Sequence, residues 1–250
     1  MIESEIETKM ADGVADGVFF QPDGKGPFAG VIHLTDIGGI RTSHREMAKR
    51  LSSQGYAVLL PNVFYRTGRP PMFDSPFKMG EEKSRKRLAE LTGPLTPEAI
   101  ARDTSPYVDF LSNHGSVAKG PLGVVGYCFA GAMALRIAAA RPDKIGAAAS
   151  FHGGSLCTDA PTSPHLLLPR IKARLYVGHA FEDRSMPKEA IERLERALAA
   201  WGGRYESEIY EGARHGWTVP DPNSSVYDQP QAERAFSKLT QLFAETLKSQ

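Results

Sequence analysis

The sequence predicts an α/β fold: a mostly parallel sheet with helices on both faces and an antiparallel N-terminal edge. Three observations carry that expectation. From residue 29 onward, short apolar runs alternate with amphipathic segments, the rhythm of strand and helix units that build a covered parallel sheet. Ahead of that rhythm, two alternating runs at 2–9 and 14–21 flank Asp12-Gly13 and read as an antiparallel pair. Further on, Gly126-Tyr127-Cys128-Phe129-Ala130-Gly131 passes directly from an apolar strand into a small-residue helix.

The elements follow in order. Residues 29–34 form a buried strand, and 43–54 a helix with Ser43 as cap and Glu46 three residues on. Gly55 closes that helix before a strand at 57–60. Helices are expected at 97–113, 130–140, 187–200 and 231–248. The remaining strands fall at 121–125, 145–151, 173–177 and 205–210. In the last helix Phe236, Leu239, Phe243 and Leu247 recur at helical spacing, so one face packs on the sheet. The stretch 62–95 breaks the rhythm and reads as an irregular, lid-like insertion, with Lys83 to Arg87 as a solvated helical patch. With no repeat or linker, 1–250 reads as a single domain.

Composition narrows the function. A chain of 250 residues with 41% hydrophobic and 24% charged residues has ample core material. Its net charge of +1, without a basic run, argues against a nucleic-acid partner. No stretch is long and apolar enough to span a membrane. The acidic start, Met1-Ile2-Glu3-Ser4-Glu5, lacks an apolar signal core, so a cytoplasmic location is expected. In that compartment Cys128 and Cys157 stay reduced, Cys157 as an incidental loop residue. A monomer or small homo-oligomer is expected. No His, Cys or Asp cluster has metal spacing, and Gly38-Gly39 lacks a nucleotide-loop pattern, so neither metal nor cofactor is implied.

Ligand sites of parallel sheets lie beyond the carboxyl ends of the strands, and three candidates for chemistry sit there. Cys128 occupies the strand-to-helix turn, flanked two positions away by Gly126 and Ala130, the geometry of a nucleophile elbow. Asp183 follows the strand at 173–177, with adjacent Glu182 as the alternative acid. His215 follows the strand at 205–210. The order nucleophile, acid, histidine is that of the α/β-hydrolase fold. In such a triad the helix N-terminus favours thiolate at Cys128, His215 moves the proton, and Asp183 fixes the imidazole. The oxyanion hole is assigned to the backbone N–H groups of Phe129 and Ile37. His33, His44, His114 and His165 read as structural, and His152-Gly153-Gly154 as a tight turn after a strand.

The Gly-Tyr-Cys-Phe elbow, the Asp183 loop and the Gly212-Ala213-Arg214-His215 segment together resemble the dienelactone hydrolase family (carboxymethylenebutenolidases). The likeness runs from the strand at 29–34 to the last helix. It implies a cofactor-free Cys-His-Asp hydrolase of small-molecule carboxylic esters or lactones, working through an acyl-thioester intermediate. Two departures bear on substrate. Asp36 stands where the family has a glutamate near the nucleophile, which implies a thiol-modulating role. No arginine follows His215, so Trp217 and the Phe-rich insertion point to an apolar or aromatic substrate group, with Arg66, Arg69 or Arg85 as alternative carboxylate clamps. The fold alone does not exclude a non-catalytic small-ligand receptor, nor a thiol redox or transfer protein acting through Cys128.

Overall fold

The computed structural model of the chain describes residues 1–73, 80–222 and 224–247. Its N-terminal ribbon is β1 (Ile2–Met10) against β2 (Gly13–Gln21), turning on Gly13. Alternating α/β units follow: β3 (Ala29–Leu34), α1 (Thr42–Ser53), β4 (Tyr56–Pro61), α2 (Glu82–Thr92), α3 (Pro97–Asn113), β5 (Leu122–Tyr127) and α4 (Ala130–Ala140). The chain continues through β6 (Ile145–Phe151), a 3-10 turn (Pro164–Arg170), β7 (Arg174–Glu182), α5 (Lys188–Trp201), β8 (Tyr205–Arg214) and α6 (Gln229–Leu247).

The eight strands form one sheet in the order β1-β2-β4-β3-β5-β6-β7-β8. From β4 to β8 all neighbours are parallel, whereas β1 and β2 run antiparallel, so the expected architecture holds. Consecutive residues Val31 and Ile32 on β3, and Val124 and Val125 on β5, are fully buried, as in a strand covered on both faces. One face packs Ala48 and Leu51 of α1 with Leu239 and Phe243 of α6. The other packs Tyr107 and Leu111 of α3, Met133 and Ile137 of α4, and Leu194 of α5. Among the described residues no helix is long and apolar enough to cross a membrane.

Two local expectations need correction. Ser43 does not cap α1: it lies inside the helix and is buried, while Arg41 holds the cap position without a side-chain cap. The Arg41 side chain is drawn instead to a carboxylate in the preceding loop. The insertion at 62–95 is not irregular throughout, because α2 occupies Glu82–Thr92 and buries Ser84 and Leu91. Positions 74–79 of the expected lid lie outside the described residues. Cys157 lies in the loop after β6, as expected, with its side chain buried beside Leu156, where burial raises its pKa. Both cysteines are free.

Close packing fixes where the sheet meets α4. A Cβ on Gly126 would lie 2.0 Å from the Ala130 carbonyl oxygen, and one on Gly131 would lie 2.3 Å from Ser150 Oγ. The first obstacle is helix backbone, which cannot rotate away. Gly126→Ala is therefore expected to cost about 3 kcal/mol. In a chain of this length that lowers the thermal midpoint by roughly 6–12 °C. A midpoint within about 2 °C of wild type would show that the turn tolerates a methyl group.

Candidate active site

Cys128 stands between β5 and α4 with φ of +58°, a left-handed conformation that is uncommon outside glycine and needs support from its surroundings. The neighbouring strand supplies it. The Cys128 N–H donates to Phe151 O (3.1 Å) and to His152 Nδ1 (3.0 Å). Its carbonyl accepts from Gly131 N–H (3.0 Å) and Gly154 N–H (3.3 Å). The sulfur stays half-buried and accessible.

β7 and β8 deliver the other two groups. Asp183 follows β7, and its Oδ1 accepts from Ser185 N–H (2.8 Å) and the Ser185 hydroxyl (2.6 Å). That turn leaves Oδ2 for His215 Nδ1 at 2.7 Å, and His215 Nε2 lies 3.1 Å from Cys128 Sγ. The structure thus brings Cys128, His215 and Asp183 into one hydrogen-bonded chain. Glu182 is exposed and lies outside it.

The charges in this chain follow from burial and partners. Burial works against a charged His215, but its hydrogen bonds to Asp183 and Cys128 outweigh that and raise its pKa to about 10. Burial likewise works against the Asp183 carboxylate, whose bonds to His215 and Ser185 hold it below the usual range. His152 carries no such partner, and burial, seconded by His215, lowers it to about 3. It is therefore neutral at physiological pH, accepts at Nδ1 from Cys128, and donates from Nε2 to Thr218 Oγ1 at 2.8 Å.

Beside His215 opens a cleft of about 500 Å³, walled on its apolar side by Ile37, Met72, Phe73 and Val219. Its polar wall is an ion cluster. Arg41 donates to both carboxylate oxygens of Asp36 (2.5 and 2.8 Å) and from Nε to Asp221 Oδ2 (3.1 Å). Asp36 also accepts from Gly38 N–H at 2.9 Å. Burial disfavours its charge, but His44 and Arg41 hold the Asp36 carboxyl far below the ordinary range.

Several expected positions turn out otherwise. Asp36 faces the cleft with its charge taken up by Arg41, and no hydrogen bond or ion pair joins it to Cys128 among the described residues. Trp217 is fully buried and does not line the cleft; its indole packs on Tyr210 (4.8 Å between ring centroids) and His152 (5.1 Å). Arg66 is bound to Asp12 and Asp103, and Arg69 to Glu7, so neither is a clamp here. Arg85 is exposed on α2 and does not line the cleft. Sequence reasoning missed Arg41 and His152. Each follows the carboxyl end of a central strand, the same signal that marked Cys128. Among the described residues no group of His, Cys, Asp and Glu is arranged to hold a metal.

Comparison with known proteins identifies the family. The model of the dienelactone hydrolase family matches residues 15–247. The chain belongs to the dienelactone hydrolase family. It is a hydrolase of that type, on the α/β-hydrolase fold. Among curated relatives it is similar to a carboxymethylenebutenolidase of Rhodococcus opacus, 29% identical over 77% of this chain and 72% of that one. It is also similar to a "putative carboxymethylenebutenolidase" of Synechocystis sp., 27% identical over 93% and 92%. In structure it resembles a "putative dienelactone hydrolase" of Klebsiella pneumoniae, with a TM-score of 0.85, 20% identity and 98% of each chain covered.

The His215 ion pair sets a pH dependence. His215 is raised above its ordinary value of 6.5 to about 10, so the stability its pairing contributes is complete below pH 6.5 and is lost as pH rises through 10. Asp183→Asn removes the largest supporting interaction. The His215 titration, followed by NMR, is expected to move down by at least about one unit. An unmoved titration would show that Asp183 does not hold the imidazolium.

Proposed function

We propose that the chain is a cysteine-dependent hydrolase of small carboxylic esters or lactones, with Cys128 as nucleophile, His215 as proton carrier and Asp183 as the acid that orients it. The observation that carries this reading is His215 bridging Cys128 Sγ at 3.1 Å and Asp183 Oδ2 at 2.7 Å on a left-handed elbow. Thiolate is the form that attacks, and His215 Nε2 lies where it can take the thiol proton.

The thiolate adds to the substrate carbonyl carbon, forming a C–S bond, and the carbonyl oxygen becomes an oxyanion. Backbone N–H groups of Phe129 and Ile37 are the proposed donors to it. Collapse breaks the ester or lactone C–O bond, and the departing oxygen takes the Nε2 proton of His215. Neutral His215 then draws a proton from water as that water attacks the acyl-thioester. The C–S bond breaks, the carboxylic acid leaves, and the imidazolium–thiolate pair is restored. No cofactor enters this cycle. The cleft wall of Ile37, Met72, Phe73 and Val219 supports an apolar acyl or alcohol group.

The test is hydrolysis of p-nitrophenyl esters and small lactones. Cys128→Ala and His215→Ala are each expected to abolish turnover. Asp183→Asn should lower kcat by roughly 10²–10⁴-fold, in line with loss of an orienting acid, and Glu182→Gln by less than about threefold. Ligand binding without turnover by wild type across a broad ester and lactone panel would sink the proposal and favour a receptor. Equal losses in the two acid variants would mean that Asp183 has no special place.

A further inference from the structure

The loop after β6, His152-Gly153-Gly154-Ser155, holds two non-glycine residues in the left-handed region, His152 with φ of +41° and Ser155 with φ of +54°. Such conformations persist only where the surroundings fix them. Here the fixing bonds run to the elbow and to the acid. His152 N–H donates to Gly178 O (2.8 Å), which seats the residue on β7. Its Nδ1 accepts the Cys128 N–H at 3.0 Å. Gly154 N–H donates to Cys128 O at 3.3 Å, and Ser155 N–H to Ser185 O at 3.0 Å. Ser185 in turn holds Asp183 Oδ1. A segment that reads in the sequence as a tight turn thus ties the nucleophile's turn to the acid's.

The two bonds to Cys128 fall on different peptide groups. Gly154 holds the peptide that follows Cys128, and His152 the one that precedes it. Peptide groups are planar, so aiming the preceding one sets the direction in which Cys128 presents Sγ. The Cys128 N–H also has Phe151 O at 3.1 Å, so it keeps a partner without the imidazole. What His152 adds is direction.

The ring has one protonation state that performs this task. A backbone N–H only donates, so His152 Nδ1 carries no proton. The neutral ring then keeps its proton on Nε2, which donates to Thr218 Oγ1 at 2.8 Å. Those are its two polar contacts among the described residues, and the Trp217 and His215 rings pack against it. Protonation at Nδ1 would set two N–H donors against each other. His152 is 1% exposed, and no water is needed to complete its bonding.

We propose that His152 is a positioning residue that holds Cys128 Sγ in line with His215 Nε2 through the acceptor at its Nδ1. This rests on Cys128 and His215 acting as proposed above.

Asparagine and glycine separate the acceptor from the backbone. Asparagine tolerates a left-handed φ and carries Oδ1 near the place of Nδ1; glycine tolerates the φ and has no acceptor. His152→Gly is expected to lower kcat for p-nitrophenyl acetate at least about tenfold with KM within about threefold, because a misplaced reacting atom is costly. His152→Asn should bring kcat back to within about threefold of wild type by restoring the bond. Without substrate, the His215 titration followed by NMR should fall at least about half a unit in His152→Gly and recover in His152→Asn. Lost bulk alone acts the other way: burial works against a charged His215, so admitting water raises its pKa, whereas a weakened Cys128 contact lowers it. Thermal transitions establish that each variant is folded. His152→Gln, whose amide reaches the place of Nε2 and not that of Nδ1, replaces glycine in the comparison if the glycine variant is unfolded. Asparagine and glycine variants that match each other in kcat and in the His215 titration would overturn the proposal. A wild type inactive on every ester and lactone would remove the hydrolase reading, and the His215 titrations would still decide whether His152 holds Cys128.

Discussion

Everything at this site depends on the left-handed backbone of Cys128. A β-carbon at φ of +58° is held only when its surroundings leave no alternative, and here both peptide groups of the residue are bound. The bonds come from β6 and the loop after it, so the elbow is built by the strand next door as much as by its own turn. Parallel register carries the same logic across the sheet. Tyr127 pairs with Phe151, Phe151 with Gly178, and Glu182 with Arg214. The residues just past those positions, Cys128, His152, Asp183 and His215, therefore emerge along one edge.

The histidines at that edge show burial and partners competing. His33, His152 and His179 are all buried, and burial pushes each below the ordinary imidazole range. His215 is mostly buried too, yet moves the opposite way because a buried carboxylate and the Cys128 sulfur share its surroundings. One imidazole is thus kept charged while its neighbour, 5.1 Å away between ring centroids, is kept neutral to accept a backbone N–H. The separation follows from the placement of Asp183 and the Cys128 sulfur, both of which bond to the His215 ring, while Asp183 does not bond to His152.

Much of this was legible in the sequence. Period and punctuation locate α3, α4 and β6 at the bounds the structure gives them, because each is closed by strong signals such as Pro97 or the small residues after Cys128. The places of Cys128, Asp183 and His215 beyond strand ends were legible for the same reason: such positions need only the strand ends. What could not be read is lateral. Trp217 looks like a cleft residue from its place beside His215, but its burial depends on Tyr210 and on His152 from another strand. Arg41 and His152 acquire their roles from partners that no local pattern connects to them. Within the insertion, the charged run at 83–87 was legible as helical, but the full length of α2 was not, because only Ser84 and Leu91 are buried along it.

The departure after His215 then has a structural meaning. The segment that follows the histidine turns inward rather than toward the cleft. Gly216 takes a positive φ, Trp217 N–H closes back on Arg214 O at 3.1 Å, and Trp217 and Thr218 become buried. Their contacts are with His152: the indole against its ring, the hydroxyl oxygen on its Nε2. A residue in this stretch therefore supports the elbow from behind and is not in position to meet a substrate charge. Among the described residues, the arginine that lines the cleft arrives from the opposite wall, as Arg41 at the start of α1, already shared between Asp36 and Asp221. An anionic substrate group would have to compete with two carboxylates for that guanidinium, whereas an apolar group meets Ile37, Met72, Phe73 and Val219 at no such cost. This contrast between the two walls is what supports an apolar group in the proposed substrate.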